Sequence, residues 1–545
     1  MAGPACDYVI VGAGSAGCTL AARLSEDADT RVLLVEAGGW SRDPWVKIPL
    51  GWGHLLRNRL HDWGYFTEPE PGLDGRRIEC ARGKAVGGSS AINAMGYVRG
   101  NAADYDRWAS RGLPGWSYAE VLPYFRRQED WAGGASVFRG AGGPMATRFA
   151  PYDDPLVAAY LAAADAAGHP RTGDYNGARQ HGFGTSQTTI RRGRRHHAGD
   201  AYLRNALARP NLTLLTGALA TRVVLEGGRA VGLEYERGGV RQVARAAREV
   251  ILAGGVINSP QLLMLSGIGD PEELARHGIA VHTPLPGVGK NLQDHLSAGV
   301  EYRRRGRGPF HRAMRADRIA AALAAAYLFG AGFASRMPGG IMGFLKTAPG
   351  LAVPDVQVLF SAAPFRADWY FPGVRKDFAD GFLSRAVLLR PESRGRIELA
   401  SADPRAAVRI HQNFLAAERD RATIRAGVKL VREIGRQPAL AAFVDAEISP
   451  GPGVVSDAAL DAHIRKTAAT AHHPLGTCRM GPDGDPTAVV GGDLRVRGVD
   501  GLRVVDAAVM PDLVGGNINA AVVMIAEKAA DLVRGRAAPP PAVLS

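Results

Sequence analysis

The sequence predicts an α/β protein whose nucleotide-binding sheet is visited several times by the chain, with an α+β domain inserted between the visits. Three observations predict it. The stretch Asp7–Gly39 reads as strand, tight turn, helix and parallel strand. Apolar runs near Val250 and Val504 read as later strands of the same sheet, the first suited to burial on both faces. The 545 residues are enough for a large core and two structural domains.

Tyr8-Val9-Ile10-Val11 is the first strand, and Gly12-x-Gly14-x-x-Gly17 follows at once. Gly12 permits a sharp turn, Gly14 lets backbone approach a pyrophosphate, and Gly17 brings helix close to sheet. Ser15 and Ala16 open a helix with Leu20, Ala21 and Leu24 on one side. Its N-terminus offers free N–H groups and partial positive charge to phosphates. The second strand, Arg31–Val35, ends at Glu36, followed by Ala37. Glu36 would accept a hydrogen bond from a ribose hydroxyl and repel a 2′-phosphate. A Gly-rich turn without nucleotide is the plain alternative, and the two flanking strands weigh against it. An FAD enzyme that also takes hydride from a nicotinamide usually carries a second fingerprint. Gly287-x-Gly289 lacks the third glycine and a following helix, so a flavin is expected as the only dinucleotide. The expected fold is therefore α/β, a Rossmann-like FAD-binding domain with an inserted α+β substrate domain.

Further along, Trp40–Pro71 is a Trp-rich connection, and Arg82–Asn93 is a second Gly-rich loop running into a helix. Helices are expected over 104–127 and 155–168, with a loop over 133–143 between them. Strands are expected over 211–216, 221–226, 230–235 and 248–255, then a helix from about Ser259. The stretch 300–471 mixes strands and helices and is assigned to substrate enclosure. A short strand at 501–506 and a helix over 519–533 close the fold, and the Pro-rich tail after Arg536 is the one disordered block. The FAD-binding domain is expected over 1–150, 205–300 and 485–545, and the substrate domain over 151–204 and 301–484.

Composition excludes several classes. Apolar and charged fractions are those of an ordinary soluble protein, and no signal peptide is expected before the first strand. Ile319–Phe333, the longest apolar stretch, is too short for a membrane span and reads as a core helix, with peripheral membrane contact as the alternative. The four cysteines show neither metal nor disulfide spacing, which suits reduced thiols in a cytoplasmic protein. The net charge of +13 raises nucleic-acid binding, but Arg191–His197 is the only dense basic cluster and has no interleaved aromatics. A solvated surface or attraction for anionic ligands accounts for it instead. The sequence carries no signal for the oligomeric state.

Ala471-His472-His473-Pro474 holds the best acid–base candidate. Pro474 biases His473 towards extended backbone, and a neutral imidazole suits removal of a hydroxyl proton near neutral pH. A satisfied structural histidine is the alternative. Gly515-Gly516-Asn517-Ile518-Asn519 is a second polar cluster. Asn517 can orient an alcohol without titrating, and Asn519 stands where a helix N-cap is the bland reading.

These residues carry a resemblance over nearly the whole chain. Gly83–Asn93, Gly255–Gly269, Asn291-Leu-Gln-Asp-His295, Ser393–Arg396 and His473–Gly481 are similar to signatures of the glucose-methanol-choline (GMC) FAD oxidoreductases, in particular the choline-dehydrogenase-like alcohol dehydrogenases. The resemblance implies His473 as catalytic histidine and Asn517 at the second, His-or-Asn position. It implies Gly87, Gly88, Asn93 and Ala94 against the flavin and Val223 as a backbone contact to adenine. Asp506, Ala507 and Asn519 would hold the ribityl chain and ring. The chain departs from the family in Asn517-Ile518-Asn519-Ala520-Ala521, where Asn-Thr-Asn-x-Pro is usual, and at Val256 in the second signature. Ile92 stands where some members attach FAD to a histidine, so non-covalent FAD is expected. The implied activity is oxidation of a small-molecule alcohol to an aldehyde or ketone, by proton abstraction and hydride transfer to flavin N5. Oxygen or another electron acceptor would take the electrons onward. The alternative is an FAD-containing lyase of the same fold that cleaves cyanohydrins without redox chemistry.

Overall fold

The computed structural model of the protein describes residues 6–544. The first strand, Cys6–Val11, lies inside a seven-stranded sheet. Val32–Glu36 pairs parallel along one of its edges and the end of Val240–Leu252 along the other, which buries Val9 and Ile10 completely. Leu212–Thr216 extends the sheet beyond Val32–Glu36, and Leu502–Val504 pairs parallel with Val250–Leu252. Parallel neighbours need long crossovers. Segments from the beginning, middle and end of the chain therefore meet in one sheet.

Two elements of this sheet differ from expectation. Val240–Leu252 is one long strand whose first half is an exposed antiparallel arm against Arg229–Arg237. Only its last residues enter the buried sheet, and only that end shows as an apolar run. The next helix spans Gly255–Leu265 and starts before Ser259. Asp506 caps it from far along the chain, accepting the Gly255 N–H at 2.9 Å and the Ser259 hydroxyl at 2.6 Å. Gly287 and Gly289 are packing glycines, since added Cβ atoms would lie 2.1 Å from Thr487 O and 2.4 Å from Ile397 O.

The second seven-stranded sheet runs, in spatial order, through Val444–Ser449, Leu296–Arg304, Gly381–Leu388, Val356–Ser361, Ile341–Leu345 and Gly182–Thr185. All these neighbours are antiparallel, and Ala469–Thr470 adds to Leu296–Ser297. Period-two alternation gives it two faces. Phe382, Ala386 and Leu388 share an apolar core with residues of the helices Pro155–Ala166 and Glu418–Gly435. There the Tyr160 hydroxyl meets Ser384 Oγ at 2.6 Å, and Gly427 lets the second helix close on Ala386. Leu383 and Arg385, the alternate residues, line a cavity together with Leu359 and Met342.

Four further expectations are corrected. The helix Ala316–Phe329 is not in the core: of its residues only Ala326 is buried, and Phe329 is 76% exposed. Its alanines raise hydropathy without supplying the large side chains a core needs. The 82–93 loop does not run into an α-helix but makes one 3₁₀ turn, Gly88–Ala91. Positive φ at Gly87 and Gly88 and the grip of Arg195 on the Asn93 carbonyl hold it in that shape. The basic cluster is not simply a solvated surface, because Arg195, His196 and His197 are buried. The tail after Arg536 folds back, with the Ala542 N–H donating to Ala119 O at 2.8 Å. Among the described residues no helix is long and apolar enough to cross a membrane, and no cluster of His, Cys, Asp or Glu could hold a metal ion.

Candidate active site

A cavity of about 1070 Å³ extends from the Gly12–Ala16 turn to the inner face of the second sheet. At its nucleotide end, protein packing explains two of the three fingerprint glycines. An added Cβ would lie 2.6 Å from Ala253 O at Gly12, which has φ +95°, and 1.8 Å from Gly12 O at Gly17. Gly14 is different: its added Cβ would meet nothing nearer than Gly88 Cα at 4.0 Å. The bare backbone there faces the cavity, as a pyrophosphate cradle requires. Glu36 is held at the rim, accepting the Ala13 N–H at 2.8 Å and the Gly38 N–H at 2.7 Å. Burial raises its pKa despite those bonds.

Ser15 Oγ donates to Asn519 Oδ1 at 2.7 Å, tying together the starts of Ser15–Leu24 and Asn519–Arg534. The N-cap of the second helix is Ile518, so Asn519 does not play the capping part considered for it. Two helix N-termini thus reach one cavity, and both favour negative charge there. Gly12, Gly14, Ser15, Ala16, Glu36 and Ala37 line it, as do Gly88, Asn93, Ala94, Asp506, Ala507 and Asn519. Gly17, Gly87 and Val223 stand outside the lining. Gly87 makes room for His197, whose Nδ1 would lie 2.5 Å from an added Cβ. The Val223 N–H donates to Ser266 Oγ at 2.8 Å, and Ala218, Leu219 and Ala220 line the cavity instead.

His473 and Asn517 meet at the substrate end, with Asn517 Nδ2 3.0 Å from His473 Nε2. Behind them a chain of hydrogen bonds decides where the protons sit. Leu389 O can only accept, so His295 Nε2, 3.2 Å away, carries a hydrogen. Burial lowers the His295 pKa to about 4, so its ring is neutral and its Nδ1 is an acceptor. His473 Nδ1, 3.0 Å from that atom, is then the donor. His473 Nε2 is left unprotonated, an acceptor that takes the Asn517 Nδ2–H at 3.0 Å where both residues line the cavity. Burial, with His295, His472 and Arg82 adding to it, lowers the His473 pKa well below the ordinary 6.5. Asn517 is oriented in turn, because its Oδ1 accepts from Gln357 Nε2 at 3.2 Å.

The glycine turn and an uncharged imidazole line the same cavity, and comparison with known proteins gives the family. Family models described as GMC oxidoreductase match residues 6–297 and 391–526. The chain belongs to the GMC oxidoreductase family. It is an FAD-dependent alcohol oxidoreductase. It is 42% identical to the oxygen-dependent choline dehydrogenase of Photobacterium profundum, over 97% of this chain and 93% of that one. It is 44% identical to the mitochondrial choline dehydrogenase of Homo sapiens, over 97% and 90%. Among solved structures, pyridoxine 4-oxidase from Mesorbium loti superposes with a TM-score of 0.86 at 35% identity, covering 98% of this chain and all of that one. Formate oxidase of Aspergillus oryzae, in a structure concerned with FAD modification, superposes at 0.89 with 28% identity, covering 98% and 99%.

The site of this GMC oxidoreductase also contains residues that the sequence did not single out. Asp294 accepts the His473 backbone N–H at 2.8 Å, and burial pushes its pKa up to about 6. His295 and Asp294 both lie in the Asn291–His295 signature, which signalled the family but not their contacts. Gln357 had no signal in the sequence, and Arg195 showed only as part of the basic cluster Arg191–His197, read there as solvated surface or attraction for anions. Arg195 bonds Asn93 Oδ1 at 3.0 Å and Val46 O at 2.8 Å, pinning the 88–94 loop.

Proposed function

We propose that His473 is the base that takes the hydroxyl proton of a small-molecule alcohol while Asn517 orients the oxygen, giving an aldehyde or ketone. The observation that carries this reading is the chain from Leu389 O through His295 to His473 Nδ1, which leaves Nε2 an unprotonated acceptor beside Asn517, both residues lining the cavity. FAD, when bound, supplies the two-electron acceptor for the hydride leaving the substrate carbon, at N5. The Gly12–Ala16 turn and Glu36 would hold its diphosphate and ribose, and Gly88, Asn93, Ala94, Asp506, Ala507 and Asn519 its ribityl chain and ring. As His473 Nε2 gains the proton, its Nδ1–H bond to neutral His295 becomes charge-assisted and strengthens. Mixing the holoenzyme with alcohols without air tests the reading. Bleaching of the yellow absorbance supports oxidation; an unbleached flavin with cyanohydrin breakdown would favour the lyase, which the relatives' names do not support.

FAD is proposed to be bound without a covalent link. Ile92 lines the cavity at the family's attachment position and has no nucleophile. His54, the one other lining histidine besides His472 and His473 among the described residues, stacks on Trp45 with ring centroids 4.2 Å apart. Acid precipitation is expected to release all the yellow colour into the supernatant. Colour left in the washed pellet overturns the proposal.

A division into 1–150, 205–300 and 485–545 against 151–204 and 301–484 is proposed on the two separate sheets, with the boundary at 300 moved ahead of Leu296 because Leu296–Arg304 is one strand of the second sheet. A cytoplasmic location is proposed on Cys18, Cys80 and Cys478, all buried free thiols; fractionation tests it. Peripheral membrane contact finds support in exposed Leu328 and Phe329 on the surface helix, and co-sedimentation with lipid vesicles decides it.

A further inference from the structure

The substrate end of the cavity holds a charge that the chemistry above does not use. Arg385 projects from Gly381–Leu388 into the cavity, its stem passing over Gly299, where an added Cβ would lie 2.7 Å from Arg385 Cγ. Its Nη2 donates to Ser297 O at 3.0 Å and Ser297 Oγ at 2.7 Å. Nε is buried with no hydrogen-bond partner, and Nη1 has none among the described residues. Among the described residues no carboxylate pairs with it. The acids that line the cavity are engaged elsewhere: Glu36 and Asp506 with backbone N–H groups, Asp62 with Gly64, Glu79 with Arg59 and Asp368 with Arg375. Burial without a countercharge lowers the Arg385 pKa to about 10.

The guanidinium belongs to the reacting end. Ser297, which it holds, pairs with Ala469, just before His472 and His473. His472 lines the cavity with its Nδ1 buried and unpartnered. Arg82 donates to the His472 carbonyl at 2.8 Å, and Arg82 and Arg385 both disfavour a proton on that ring. Donors and positive charge therefore converge at His472, the chain neighbour of His473, and the cavity they line also has the apolar Leu359, Leu383 and Met342 in its walls.

Granting the alcohol oxidation proposed above, we infer that the substrate is an alcohol carrying a carboxylate, which docks on Arg385 while its hydroxyl meets His473. A desolvated guanidinium with free donors is completed by a single negative charge. One arginine with one free edge suits a monoanionic carboxylate better than a phosphate dianion, which calls for more donors. The apolar walls take the hydrocarbon between carboxylate and hydroxyl. A quaternary ammonium such as choline, the alcohol named for the dehydrogenase relatives, would instead face an uncompensated like charge.

The test compares the holoenzyme with Arg385→Gln and Arg385→Lys. Flavin bleaching is followed with ω-hydroxycarboxylates, their methyl esters and choline. Calorimetry measures binding of the matching alkyl carboxylates, which lack the hydroxyl and cannot be oxidised. The wild type is expected to favour the hydroxycarboxylate over ester and choline. Arg385→Gln is expected to lose about 10- to 100-fold in carboxylate affinity and in kcat/KM for the hydroxycarboxylate, with ester turnover little changed. Arg385→Lys is expected to keep part of both. Preference for choline, or an equal loss for every substrate in Arg385→Gln, overturns the inference and leaves Arg385 a strut for Ser297. If neither variant folds, wild-type calorimetry alone decides, and absent carboxylate binding overturns it. Carboxylate binding without bleaching by any alcohol would refute the oxidation while keeping the anion site.

Discussion

His473→Ala is expected to lower alcohol turnover by about 100- to 10,000-fold, the usual worth of a positioned base, while FAD stays bound. The two effects separate because His473 meets the cavity at its substrate end, away from the Gly12–Ala16 cradle. Anaerobic stopped-flow reduction checks it, and rapid bleaching by alcohol in the variant would remove His473 from the role of base. The pH profile gives a second reading of the same residue. The base must be unprotonated, and its pKa lies below the ordinary 6.5 because burial penalises the cation. Activity is therefore expected to persist as pH falls through 6.5 and to fail only lower, as His473 gains its proton. An acid limb of kcat/KM centred above 6.5 contradicts this.

His295→Phe is expected to slow flavin reduction on the order of 100-fold, with FAD content unchanged. Phenylalanine fills the space but cannot accept from His473 Nδ1–H, so the tautomer with its proton on Nε2 becomes accessible and cannot act as base. His295 is a positioning residue, acting through His473. Its effect should appear in kcat more than in KM, and His295→Gln should recover part of the rate by offering an amide oxygen in its place. If Gln and Phe are equally slow and fold alike, the acceptor at this position does not matter.

What could be read from the sequence follows the range of the interactions concerned. The Gly12–Gly17 turn and its two strands are local, and their burial pattern lies within one stretch of chain, so they were legible. His473 stood out in the sequence because Pro474 restricts its backbone. The proton arrangement on His473 was not, because it is set by Leu389 and His295, which reach it only through the pairing of distant strands. The Ala316–Phe329 helix misled for the converse reason, since hydropathy says how apolar a segment is and not whether anything covers it.

By itself, the sequence determined the fold class, the dinucleotide turn and the family, and it picked out His473 and Asn517, which meet in the cavity. Each rests on contacts between near neighbours or on the order of residues along the chain. Only the tertiary structure decided that Gly14 is bare towards a cavity, that His473 Nε2 is the unprotonated ring nitrogen, and that Arg385 lines the same cavity without a countercharge among the described residues. A tautomer depends on the acceptor at the far end of a hydrogen-bond chain, and an arginine's meaning on whether a carboxylate lies within reach. Both are properties of positions in space, brought together here by a sheet whose strands come from distant parts of the chain.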